Sequence, residues 1–207
     1  MVQESMMRYT KGNYPWEHYI IDDFLSNDRF EEILKNVETE KKYLDMFGYY
    51  SRSNHYYRFE RFPILPELDQ LFNKLFPDES KGLSKINHYS IHPENHIYHT
   101  HVDNSSRIYS AVLYVAPSKN IGTIMCKNNS EFKDGHNKPD TENIDEVEIE
   151  FKPNRLFVHK STNNTWHRYG ASSQRVTINT FLVDKTMLDT VQLNNKYLID
   201  NNFIIEG

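Results

Sequence analysis

The chain has 207 residues, 38% hydrophobic and 14% aromatic, with a formal net charge of -5 at pH 7. That is enough apolar material for one domain with its own core, and it excludes a disordered or low-complexity chain. The acidic balance, with no Lys/Arg stripe, argues against nucleic acid as a partner, and no apolar run reaches the length of a membrane span.

The first stretch, MVQESMMRYTKGNYPW, lacks the apolar core of a secretory signal. The lone Cys126 leaves no internal disulfide. A soluble, cytoplasmic protein with one domain over 1–207 is expected: a helical part at about 15–80, a β part at about 84–184, and a C-terminal extension at 185–207. The sequence sets no oligomeric state.

In chain order, PWEHYIIDDFL at 15–25 reads as a short extended lead-in. Ser26 is then an N-cap, with Asp28 in the first helical turn. Phe30, Ile33, Leu34 and Val37 recur at helical spacing, which predicts an amphipathic helix over 27–45. A second helix starts near Pro66 and ends by Pro77; its stripe of Leu65, Leu68, Leu71, Phe72, Leu75 and Phe76 is core packing.

From about residue 84 the period changes to two. KINHYSI, HIYHTHVD, RIYSAVLYVAP, GTIMC, EVEIEF, RLFVHK and RVTINTFLV all read as strands rich in β-branched and aromatic residues. In EVEIEF the apolar residues point in, and Glu146, Glu148 and Glu150 form a solvated face. No helical pattern interrupts the series, so an antiparallel sandwich or barrel, mainly β with the helices packed outside, is the expected class. Residues 127–143 are polar and turn-rich, a surface loop that could face substrate.

The chemistry concentrates in IYHTHVD. Alternate strand residues point the same way, about 6.5–7 Å apart, so His101 and Asp103 project together. An H-x-D alone is a weak signal, and a polar strand end is its plainer reading. Downstream, His167 lies near the end of a strand, and Arg175 and Thr177 open the next one on a shared face. Two histidines and a carboxylate can make a facial triad suited to Fe(II). An arginine fork nearby suits a carboxylate, which suggests a dicarboxylate cosubstrate.

The ordered set His101, Asp103, His167 and Arg175 resembles the 2-oxoglutarate- and Fe(II)-dependent dioxygenase superfamily. Y-x-x-H-x-D-N at 98–104, Arg107 and Tyr114 are similar to its prolyl-4-hydroxylase-like branch. Gly122-Thr123 resembles the end of that branch's Gly-Gly-x-Thr stretch, with Ile121 where the first Gly would be, and Asn154 stands at a position often held by a turn Gly. The resemblance spans roughly residues 15–183.

It implies a double-stranded β-helix, a jelly-roll or cupin-like barrel. His101, Asp103 and His167 would hold Fe(II); Arg175 with Thr177 and Tyr114 would bind the distal carboxylate of 2-oxoglutarate, with Tyr98 and Tyr89 close by. The implied reaction uses O2, with ascorbate as a candidate reductant. It hydroxylates a peptide, protein or small molecule with release of succinate and CO2, and no residue beyond the metal ligands acts catalytically.

His99 shares the face of His101, but only His101 has an aspartate two residues on. His159 rivals His167, yet Arg168 after it sits in a polar turn. His88, His92, His96, His99 and His136 lie in polar surroundings and are expected at the surface. A non-catalytic β-barrel binding module and a cupin-type metalloenzyme without 2-oxoglutarate remain as alternatives; neither nucleic acid nor membrane is expected as partner.

Overall fold

The computed structural model describes residues 8–47, 51–52, 55–59, 65–103, 105–127 and 145–184. In chain order its elements are β1 (Thr10–Gly12), β2 (His18–Ile21), α1 (Asn27–Phe47), β3 (Ser51–Arg52), β4 (His55–Phe59) and α2 (Pro66–Leu75). They continue with β5 (Ser84–His92), β6 (Ile97–His101), β7 (Arg107–Ala116), β8 (Thr123–Lys127), β9 (Asp145–Ile149), β10 (Leu156–Lys160), β11 (His167–Gly170) and β12 (Arg175–Val183). The expected loop, from residue 128, and the C-terminal extension lie outside the described residues.

Both helices form where the apolar spacing puts them. Ser26 caps α1, its Oγ accepting from Arg29 N at 3.4 Å. Pro66 occupies the first turn of α2, where its missing N–H costs nothing. Among the described residues no helix is long and apolar enough to cross a membrane.

The strands make two antiparallel sheets. One has the order β1-β2-β10-β7-β12-β5-β4-β3, the other β6-β11-β8-β9. This is the double-stranded β-helix expected from the sequence. Period two sorts the central strands of the larger sheet. Tyr109, Ala111, Leu113 and Val115 of β7, Leu156 and Val158 of β10, and Val176, Ile178 and Leu182 of β12 share one core with Ile33 and Val37 of α1 and with Leu68, Leu71 and Phe72 of α2. The helices therefore cover one face. The alternate residues turn to the smaller sheet, where Tyr114 and Phe157 pack with Met125, Ile149 and Phe151. Strands buried on both faces read as nearly continuous apolar runs, which is how β7 and β12 look.

Two departures from the family pattern have a local explanation. Ile121 packs beside the buried cluster of Ile124, Cys126 and Trp166, so its side chain is used. Gly122 is required: a Cβ there would lie 1.7 Å from the carbonyl oxygen of Ile149.

Asn154 adopts φ 63°, the left-handed conformation that a turn glycine would supply. It also adds bonds that glycine cannot make. Its Oδ1 accepts from Leu25 N at 2.9 Å and its Nδ2 donates to Leu25 O at 2.8 Å. Backbone bonds from Phe24 N to Asn154 O and from Asn154 N to Tyr114 O, both 2.9 Å, complete the joint. Asn154→Gly should therefore keep the backbone but cost about 2 kcal/mol, the net worth of two hydrogen bonds. Asn154→Ala should cost about 1 kcal/mol more through strain. Urea unfolding midpoints of the three proteins check this order.

Candidate active site

A cavity of about 230 Å³ lies between the sheets, walled by β5, β7, β10 and β12 on one side and by β6, β8 and β11 on the other. At one place on its wall, ligand atoms of His101, Asp103 and His167 all lie within 4.8 Å of one another. His101 closes β6, while His167 opens β11 rather than ending a strand, and the two are direct partners in the β6–β11 ladder. Directly opposed residues of an antiparallel pair have Cβ atoms about 4.5–5.5 Å apart, so the register itself brings these rings together. Their centroids are 4.4 Å apart. Asp103 follows two residues past His101, just beyond the end of β6.

Both imidazoles are anchored alike. His101 Nδ1 donates to the His99 carbonyl and His167 Nδ1 to the Thr165 carbonyl, each at 2.9 Å. A carbonyl only accepts, so Nδ1 of each ring carries a proton, and it is Nε2 that faces the cluster as the ligand atom. Burial, reinforced by His167, lowers the His101 pKa to about 3, which leaves this ring neutral and ligand-ready near pH 7.

Asp103 is 9% exposed and held from several sides. Arg107 Nη1 donates to Oδ1 at 2.6 Å, and Ser110 Oγ and Ser161 Oγ donate to Oδ2, the latter at 3.3 Å. Burial pushes its carboxyl up, but electrostatic interactions with His167 and Arg107 outweigh that and hold it well below the usual carboxylate range. The rival His159 lines the same cavity with Nε2 3.7 Å from Asp103 Oδ2, yet it does not join the three-donor cluster. Burial lowers its pKa to about 4. His99 is exposed, as expected.

Another part of the wall carries a cation. Arg175 is 2% exposed, its Nε has no hydrogen-bond partner, and no carboxylate pairs with it among the described residues. Its nearest company is aromatic, with the guanidinium 4.7 Å from the Tyr169 ring centroid. Burial pulls its pKa down and the Tyr114 and Tyr169 hydroxyls offset this in part; an arginine remains charged regardless.

The other residues expected near the cosubstrate divide. Tyr98 lines the cavity, stacked on Tyr169 with centroids 4.9 Å apart. Tyr114 is fully buried and is not part of the cavity wall. Its hydroxyl donates to Thr123 Oγ1 at 2.9 Å and accepts from Thr123 N at 3.0 Å, and Thr123 is what lines the cavity. Thr177 is also fully buried and is not among the cavity-lining residues, its hydroxyl donating to Asn179 Oδ1 at 3.3 Å. The side chain of Tyr89, on β5, lies outside the described residues, as do the side chains of His88 and His136.

Two expected surface histidines are not at the surface. His92 is fully buried and His96 is 9% exposed. The reason is that β5 runs on to His92, which pairs with Arg175 of β12 and faces the interior with Ser90. Sequence reasoning also missed Tyr169 and Ser110. Tyr169 had a signal, since it follows His167 at the same-face spacing of a strand; Ser110 had only its place as a hydroxyl inside an aliphatic run.

Neither a family model nor a curated protein sequence matches the chain. Solved structures do match in fold. A prolyl-4-hydroxylase from Pseudomonas putida aligns with TM-score 0.57 and 15% identity over 81% of this chain and 92% of that one. A prolyl hydroxylase from Trichoplax adhaerens, in complex with a hypoxia inducible factor oxygen degradation domain peptide fragment, aligns with TM-score 0.57 and 18% identity over 82% and 84%. The non-heme alpha ketoglutarate dependent epimerase SnoN, from nogalamycin biosynthesis, aligns with TM-score 0.56 and 12% identity over 81% and 78%. At these identities the likeness is one of fold.

Single substitutions of His101, Asp103 or His167 by Ala should each weaken divalent-metal binding by on the order of a hundredfold or more. His159→Ala should cost no more than about tenfold, since His159 only neighbours a ligand. His99→Ala should leave affinity near that of the unaltered protein. Titration with Mn(II) under one buffer condition checks the set; iron-site loss in His99→Ala without loss in His101→Ala would move the site by one register step.

Proposed function

We propose that this chain is an Fe(II)- and 2-oxoglutarate-dependent oxygenase that hydroxylates a peptide or small molecule. His101, Asp103 and His167 would hold the iron. Arg175 would take the distal carboxylate of 2-oxoglutarate. The observation that carries this reading is that one cavity joins a two-histidine, one-carboxylate cluster to a buried guanidinium with no acid paired to it among the described residues.

The donor set fits the metal. Two imidazoles and one carboxylate on one face leave open positions, the arrangement used by non-haem Fe(II) oxygenases. When bound, the iron supplies O2 activation coupled to oxidative decarboxylation of 2-oxoglutarate, yielding succinate and CO2 and placing one oxygen atom on the substrate.

The protein's own residues do the rest. The Nδ1 anchors hold both imidazoles in one orientation, and the Arg107 and serine contacts fix the Asp103 carboxylate. Arg175 offers two parallel donors to a carboxylate, in surroundings where an ion pair is worth far more than in water. Tyr114 would act through Thr123, whose hydroxyl it orients at the cavity wall. Tyr98 and Tyr169 exclude water along the path between the cluster and the cation.

A cupin-type metalloenzyme that uses no 2-oxo acid leaves Arg175 buried without purpose. A binding module leaves the three donors converged without purpose. Among the compared structures, the Trichoplax protein carries a peptide and a SnoN structure carries Fe3+, alpha ketoglutarate and nogalamycin RO, so both substrate classes stay within the proposal.

Anaerobic titration of the Fe(II)-loaded protein with 2-oxoglutarate should show binding that Arg175→Ala weakens by about 2–5 kcal/mol, as for one partner of a desolvated charge pair. Iron affinity should be unchanged in that variant. With O2 and ascorbate, slow succinate formation should occur without prime substrate and disappear in Asp103→Ala. Equal 2-oxoglutarate affinity with and without Arg175 would overturn the assignment of the anchor, and binding without any succinate would favour the binding module.

A further inference from the structure

We propose that Ser90 is the second donor to the anion held by Arg175, and that His92 is the residue that positions its hydroxyl. This rests on the reading of the cavity as a 2-oxoglutarate site, and it assigns that site two residues that the sequence pattern does not mark.

The resemblance hands the hydroxyl role to Tyr114 and Thr177, but both hydroxyls are engaged elsewhere and neither residue forms the cavity wall. Ser90 does form it, at 1% exposure. It stands on β5 opposite Thr177, while His92, two residues on, stands opposite Arg175. Ser90, His92 and Arg175 therefore occupy one face of adjacent strands, with Cβ separations of about 4.5–5.5 Å for the directly opposed pair.

Ser90 Oγ and His92 Nε2 are 2.7 Å apart and both side chains are buried. Either atom can donate. A neutral imidazole with its proton on Nε2 donates into Ser90 Oγ, and the Ser90 hydrogen is then left to point at the cavity. An anion beside Arg175 selects that tautomer, because a hydroxyl pointing away would face the ligand with its lone pairs. The net charge and the number of protons on the pair are the same in both tautomers.

The imidazole is well placed for such a role because it cannot swing. His92 stacks on His96 with ring centroids 5.0 Å apart at 14°, and lies against Tyr169 at 4.9 Å. The turn that carries His96 is tied down by Asn95 N to Ala171 O at 2.7 Å and Ala171 N to His96 O at 2.9 Å. Tyr169 thus touches both His92 and Arg175.

The test is anaerobic 2-oxoglutarate titration of the Fe(II)-loaded, full-length protein and its variants, with Mn(II) affinity and melting temperature measured in parallel. Ser90→Ala should weaken 2-oxoglutarate binding about tenfold with metal affinity unchanged. His92→Phe, which keeps a ring in the stack, should give a similar loss, and the double variant should lose no more than either single one, since the two act as a unit. His92→Gln, whose amide can donate to Ser90, should recover most of the affinity.

Wild-type affinity in Ser90→Ala would overturn the proposal. So would independent, additive losses in the double variant, which would make His92 a packing residue. If Arg175→Ala weakens binding while Ser90→Ala does not, this inference fails and the oxygenase reading stands. If Arg175→Ala also binds normally, or the unaltered protein binds no 2-oxoglutarate, both fail.

Discussion

The pairing of His101 with His167 across a single antiparallel ladder is the constraint on which the cavity depends. Because the two residues are direct partners, a slip of one position in either strand would send one ring to the opposite face. The register is fixed from both flanks. β11 is held by β8 on its far side, with His167 opposite Met125, and β6 is continuous with the turn bound to Ala171. Each ring is then locked about its own axis by a backbone carbonyl two residues earlier in the chain. Only after both conditions are met can Asp103, which belongs to no strand, reach the same point.

The cavity is electrostatically lopsided. Its carboxylate is already surrounded by an arginine, two hydroxyls and imidazoles, whereas among the described residues Arg175 has aromatic rings beside it, no paired carboxylate and one unmatched nitrogen. Leaving a buried cation without a partner is expensive, and the surrounding fold tolerates it because the rest of the domain is well packed on both faces of the larger sheet. In the proposed function the same asymmetry would orient a dicarboxylate, with one end at Arg175 and the other near the three donors. Tyr98 and Tyr169, stacked on one another, add aromatic bulk to the same cavity wall.

Much of this was legible in the residues. Clean alternation gave away β9, β-branched and aromatic content gave away β10 and β12, and the spacing of Phe30, Ile33 and Val37 gave away the inward face of α1. The triad and Arg175 were visible because their chemistry is rare at such spacing and because family resemblance orders them. What escaped is instructive. His92 and His96 sit in a polar string, SIHPENHI, whose composition looks solvated, yet the ladder to β12 pulls the first inward and aromatic stacking covers the second. Tyr114 and Thr177 stood at the matching sequence positions, but a bulge in the β7–β12 register next to Thr177 and the reach of Thr123 decide whose hydroxyl meets the cavity. Such outcomes depend on contacts between distant strands and have no local signature.

Asn154 joins Leu25 to the barrel across a separation of 129 positions in the chain. Contacts that close so long a loop carry a large entropic cost early in folding and are favourable only when the intervening strands have already condensed. The joint at Leu25 is therefore expected to form after the strands it closes over. Amide protons at Phe24 and Leu25 should consequently exchange through a smaller opening than those of β7 and β12, releasing the N-terminal lead-in while the cavity walls stay assembled. The lead-in is thus tied to the barrel twice, by the β2–β10 ladder and by the two hydrogen bonds of one amide side chain.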